Sequence, residues 1–166
     1  MKLNIFLTWL GLGIPFLTSC ALLGGGSEKI QRAETYHLNS PTEWQELGSR
    51  GESDRTYRLP SGNKVSVTSF CDRNRDATLR VLTRQVLIGT RNIKVLDEQN
   101  ILVPNGSGLF THVQAFAEGK TLFLGIGIVK KSGCVFDFSL VSSQPLTANE
   151  KSSFLGFIKS LQYGND

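Results

Sequence analysis

Residues 109–143 constrain the fold most. Three stretches, Leu109 to Ala117, Thr121 to Lys130 and Cys134 to Ser143, are rich in β-branched and aromatic residues. Only Glu118-Gly119-Lys120 and Lys131-Ser132-Gly133 separate them. Connections this short admit only antiparallel neighbours. In the last stretch Phe136, Phe138 and Leu140 alternate with Val135, Asp137, Ser139 and Val141. The period of two places Phe136, Phe138 and Leu140 on the core face. A chain with this segment must build an antiparallel meander and then cover it.

The cover is expected from two helices. In Asp76 to Ile88, Leu79, Leu82 and Val86 fall on one helical face, while Val81 and Ile88 lie on another side. Arg73, Arg80 and Arg84 share one stripe, so this helix is expected to bury most of its circumference and show water a thin basic ridge. Gly89 suits its C-terminal cap. Thr147-Ala148-Asn149-Glu150 reads as a capping box, followed by an apolar stripe of Phe154, Leu155, Ile158 and Leu161.

Upstream, Thr56 to Leu59 and Lys64 to Phe70 flank Pro60-Ser61-Gly62-Asn63 as a hairpin. Tyr36-His37-Leu38 suggests a short strand. Ser40-Pro41-Thr42-Glu43-Trp44 reads as a helix start with Trp44 and Leu47 buried, and Gly48 to Asp54 as a loop. Asn92 to Leu96 and Asn100 to Val103 are expected as two strands around an Asp97-Glu98-Gln99 turn. Gly125 and Gly127 sit inside a strand, where they point to close packing by a neighbouring element rather than to phosphate binding.

The expected class is therefore α+β: an antiparallel meander with helices packed against it. A chain of 166 residues suits one domain, and 40% hydrophobic residues argue against intrinsic disorder. The order of helix, meander and closing helix, ending in Phe154-Leu155-Gly156-Phe157-Ile158-Lys159-Ser160-Leu161, resembles the PsbP/Mog1-type α/β/α domain over roughly residues 35–162. That resemblance rests on element order, and it implies a binding or assembly module rather than a catalyst.

The N-terminus reads as an address. Lys2 is followed by an apolar run from Ile5 to Leu17, too short for a comfortable span of about 20 residues. Leu17-Thr18-Ser19-Cys20 resembles the lipobox of bacterial lipoproteins. The resemblance implies removal of a signal peptide at 1–19 and attachment of acyl chains, palmitate among them, at Cys20. Residues 20–27 then form a lipidated, Gly/Ser-containing tether, and 28–166 the single globular domain. Two or more acyl chains anchor a protein stably, each buried methylene adding about 0.8 kcal/mol. Ala21 stands where an Asp would favour inner-membrane retention in enteric bacteria, so the expected place is the outer membrane facing the periplasm.

With Cys20 lipidated, Cys71 and Cys134 remain for an oxidising compartment. One disulfide between them is the preferred reading over two unpaired thiols. Neither lies at zinc-ligand spacing or in a C-x-x-C arrangement.

No catalytic constellation stands out. The mature chain holds only His37 and His112, and it has no H-E-x-x-H and no G-x-S-x-G motif. Asp97-Glu98 is a poor metal pair, because strand neighbours point to opposite faces. No catalytic residue, metal or cofactor is expected. A formal charge of +4 is mild, and it argues against nucleic acid as partner. The most suggestive polar feature is Arg73, Arg80 and Arg84, an anion-binding candidate because guanidinium forks match phosphate and carboxylate. The functional expectation is a non-catalytic, lipid-anchored binding or scaffolding module of the envelope with a protein partner. The alternatives are a lipoprotein that holds a small or lipidic ligand, and an envelope hydrolase.

Overall fold

The computed structural model describes residues 31–71 and 76–164. In chain order the elements are β1 (Gln45–Arg50), β2 (Ser53–Arg58), β3 (Lys64–Cys71), α1 (Leu79–Val86), β4 (Arg91–Ile101), β5 (Gly106–Ala117), β6 (Lys120–Lys131), β7 (Cys134–Ser142) and α2 (Ala148–Lys159). The strands make one sheet in the order β1-β2-β3-β7-β6-β5-β4, with antiparallel neighbours throughout. The leader at 1–19, Cys20, the tether and Arg73 lie outside the described residues.

The meander forms as its pattern predicts. Ala117 pairs with Lys120 and Lys131 with Cys134, which leaves two-residue turns. Glu118 and Gly119 have φ of 50° and 77°, and Ser132 and Gly133 have 48° and 78°. Two successive positive values match the right-handed twist of the flanking strands.

Adjacent residues on β5, β6 and β7 point to opposite sides, and one helix lies on each side. On the α2 side Phe110, Phe136, Phe138 and Leu140 are completely buried with Phe154 and Ile158 of the helix. Phe157 stands at the centre of an aromatic group, its ring centroid 5.1 Å from Trp44, 5.2 Å from Tyr57 and 5.9 Å from Phe138. The glycine expectation holds. A Cβ on Gly127 would stand 2.5 Å from Ile158 Cδ1, and one on Gly125 would stand 3.3 Å from Phe154. The predicted capping box is present: Glu150 N donates to Thr147 Oγ1 at 3.1 Å, and Thr147 N donates to Glu150 Oε2 at 3.0 Å. Ser61 and Asn63 of the β2–β3 turn also donate to Glu150, which ties that hairpin to the start of α2.

The Cys71–Cys134 disulfide joins directly paired residues at the end of β3 and the start of β7, with Cα atoms 4.1 Å apart. The Tyr163 hydroxyl lies 3.2 Å from Cys134 Sγ.

Several local expectations are overturned. Residues 40–47 do not start a helix. Trp44 N donates to Pro41 O, closing a turn, and the chain then enters edge strand β1. A Ser-Pro pair before an acid suits a turn as well as a cap, and here the turn wins because Trp44 is drawn into the aromatic group. Residues 48–54 are not a loop, since only Gly51 and Glu52 turn between Arg50 and its partner Ser53. Asp97-Glu98-Gln99 is not a turn but the middle of the continuous strand β4. The helix expected from Asp76 starts later, capped by Thr78, and it buries only part of its surface: Val81 is 43% and Ile88 80% exposed. Tyr36 to Leu38 contributes an isolated bridge, His37 to Gln162, rather than a strand.

Candidate binding cleft

The exposed flank of α1 faces the outermost strand, β4. The Thr78 hydroxyl accepts from Val81 N at 3.3 Å and sets the start of the helix. Leu82 and Leu87 then bury against Val113, Ile126, Ile128 and Val135 of the sheet. Thr83 satisfies its hydroxyl locally, donating to Leu79 O at 3.0 Å. Gly89, with φ of 90°, turns the chain back toward β4.

β4 is shaped by two irregularities. Its register with β5 shifts between Arg91 and Lys94, where Asn92 has φ of 52°, and again between Val95 and Asp97. A bulge adds one residue and re-aims those beyond it. Val95 pairs with Val113 and Glu98 with Thr111. Both therefore face α1 although two residues, not one, separate them.

Between the two elements lies a cleft of about 590 Å³. Val113 and Thr111 of β5 form its floor. Leu87 and Thr83 stand on the helix side, Ile93 and Val95 on the strand side. Arg80 closes one end, with its Nε 3.1 Å and its Nη2 2.8 Å from Glu98 Oε1. That pair is exposed on the Arg80 side and is worth no more than about 1 kcal/mol. Arg84, one turn further along, is exposed at the rim. Thr111 is 2% exposed, and its Oγ1 has no hydrogen-bond partner. Leaving a buried hydroxyl unpaired costs about 1–3 kcal/mol.

Of the sequence-derived anion candidates, Arg80 and Arg84 share this rim. Arg80 already neutralises Glu98, so the freer charge is Arg84. Sequence reasoning missed the cleft floor. Its signal was Thr111, a hydroxyl on the strand face otherwise made by Leu109, Val113 and Ala115.

Two other groups have perturbed ionisation. Asp137 lies beside the opposite flank of α1, in a smaller cleft of about 260 Å³ with Phe70, Leu82, Gln85, Val86 and Val135. Burial pushes its carboxyl up to about 7, partly offset by Arg32, and its Oδ1 has no hydrogen-bond partner. His112 is 6% exposed on the α2 side, and its Nε2 is likewise unpartnered. Burial lowers its pKa, Lys151 lowers it further, and Asp97 opposes them. Lys151 Nζ lies 3.7 Å from Asp97 Oδ2. The sheet separates His112 from Asp137, so the two cannot act on one substrate. Among the described residues, no group of three or more His, Cys, Asp or Glu side chains could hold a metal ion.

The architecture is similar to known structures. The solution structure of CyanoP, the cyanobacterial PsbP from Synechocystis sp. PCC 6803, superposes with a TM-score of 0.56 at 15% identity, covering 89% of this chain and 99% of that one. A crystal structure from Bacteroides thetaiotaomicron VPI-5482 gives 0.55 at 14% identity over 82% of this chain, which spans only 48% of that protein. LpqN of Mycobacterium tuberculosis, involved in cell envelope biogenesis, gives 0.48 at 13% identity, covering 81% of this chain and 83% of LpqN. No protein-family model and no curated protein matches the sequence. At these identities the likeness is one of fold, and the fold is PsbP-like α+β.

Proposed function

We propose that this chain is a non-catalytic, lipid-anchored binding module of a bacterial envelope, attached through Cys20 and presenting the α1–β4 face to its ligand. The observation that carries the binding role is the cleft itself, with its apolar walls, its unpaired Thr111 hydroxyl and its arginine rim. The envelope location rests on Leu17-Thr18-Ser19-Cys20 and agrees with a disulfide-bonded domain, since disulfides persist in exported proteins. Among the described residues no helix is long and apolar enough to cross a membrane, so a lipid at Cys20 would supply the attachment. Ala21 after the cysteine points to the outer membrane, periplasmic side. A non-catalytic role accords with the placement of His112 and Asp137 on opposite faces of the sheet.

The test is membrane fractionation of the full-length protein beside Cys20→Ala, with crosslinking in cells and mass spectrometry of what is captured. Wild type is expected in the membrane fraction and Cys20→Ala outside it. A variant that stays as firmly membrane-bound as wild type overturns the anchor. A stoichiometric protein captured at α1 or β4 would make the module an adaptor.

A further inference from the structure

We infer that the α1–β4 cleft takes a single-chain anionic amphiphile, a fatty acid or a lysophospholipid, with the acyl chain between helix and strand and the charged head beside Arg84 and Thr111. The inference rests on the binding role proposed above and names the ligand class.

Polarity changes along the cleft from one end to the other. α1 and β4 are joined by the Gly89 turn and run back along one another, since Arg80 near the helix start reaches Glu98 far along the strand. Near the Gly89 turn the lining is Leu87 and Ile93. Midway it is Val95 and Val113, and Arg84 lines the cleft one helical turn from Arg80. At the far end it is Arg80, Glu98 and Thr111. One end is therefore apolar and the other polar, as a molecule with a tail and a head requires.

The apolar end also continues onto the surface. Ile88 is 80%, Val95 57% and Ile93 46% exposed. A ligand that covered them would gain about 25 cal/mol for each Å² of apolar area removed from water. At about 590 Å³ the cleft falls within the roughly 300–1,000 Å³ typical of small-ligand sites.

The head is assigned as an anion by its surroundings. Glu98 is already neutralised by Arg80, so Arg84 leaves the rim with a net positive charge. The Thr111 hydroxyl, buried without a partner, can donate to a carboxylate or phosphate oxygen. A neutral apolar ligand would leave that hydroxyl unpaired, and a cationic head would meet Arg84.

The experiment feeds cells producing the full-length protein an alkynyl palmitic acid bearing a diazirine. Ultraviolet light fixes it to whatever it touches, and mass spectrometry maps the adducts. Adducts are expected on peptides from α1, β4 and the middle of β5. Arg84→Glu and Ile93→Ser, both at exposed positions, should each lower them about tenfold, equivalent to about 1.4 kcal/mol of affinity. The adduct mass separates the two sources, since a free fatty acid and a lysophospholipid differ by the glycerophosphate head. Label spread evenly over surface peptides, or unchanged in both variants, overturns the inference. Metabolic acylation at Cys20 appears on a separate N-terminal peptide. A labelled N-terminus with an unlabelled cleft therefore defeats only the amphiphile, whereas an unacylated Cys20 defeats the anchor.

Discussion

The two faces of the sheet differ in how completely they are covered. On the α2 side Phe110, Phe136, Phe138 and Leu140 are completely buried, and Trp44, Tyr57 and Phe157 interlock around them. On the α1 side Val113, Ile126 and Ile128 are equally buried, yet Ile88, Ile93 and Val95 stand in water. Geometry explains the contrast. Seven strands at about 4.8 Å spacing span roughly 30 Å, whereas the eight residues of α1 make a rod only about 12 Å long. α2 has twelve residues and is helped by the N-terminal segment that brings Ala33, Tyr36 and Trp44 into the core. These exposed apolar groups are the surface that the proposed ligand would cover. One face holds the domain together, and the other leaves room.

The sharpest test of that contrast is truncation on each side. Phe157→Ala should lose about 3–5 kcal/mol in urea unfolding, because a large ring leaves a cavity among rigid neighbours. Leu82→Ala, beside the smaller cleft where the packing can relax, should cost only about 2 kcal/mol. Equal losses would break the comparison. Next in size, replacing Cys71 and Cys134 together by Ala should lower stability by about 2–4 kcal/mol, read from the same titration under oxidising conditions.

Asp137 gives a test confined to the α1 side. Its folded-state value of about 7 stands above the ordinary 3.8. Between those values the native state keeps a proton that the unfolded chain has lost, so this residue's contribution falls as pH rises from about 4 to 7. Asp137→Asn cannot ionise. It should gain about 1–3 kcal/mol over wild type at pH 8 relative to pH 4. The difference between the two proteins separates this effect from His112, whose lowered value costs stability as pH falls below about 6.5. A pH-independent difference would mean that the carboxyl is solvated.

The smallest effects are expected at the cleft rim. Ile88→Ser should change stability by less than about 0.5 kcal/mol, and Arg80→Ala by less than about 1 kcal/mol. A larger loss at either would show that the rim belongs to the core.

The meander, the closing helix with its capping box and the glycine contacts were legible because each depends on a local period or a turn residue. The cystine was legible from composition and compartment. β1 was not: Gln45 to Arg50 is exposed apart from a half-buried Leu47, so no alternation marks it, and it exists because the Gly51-Glu52 turn lays it against β2. β4 was misread because Asp97-Glu98-Gln99 is polar enough for a turn, while its bulges are set by pairing with β5. The cleft was hidden for the same reason. Arg80 and Arg84 were visible as a stripe, but nothing local to Thr111 tells that Glu98 lies across from it.

The cystine also decides how the domain bears load. Cys71 and Cys134 are 63 residues apart in sequence and face each other across β3 and β7. Tension between the two ends of the chain would cross from one strand to the other through sulfur. The intervening span, with α1, β4, β5 and β6, hangs from that junction as a closed loop outside the line of force. Peeling away β1 and β2 would leave the strands of the cleft in register. Reduction would place the whole span in series with the pull and add roughly 200 Å of extensible chain.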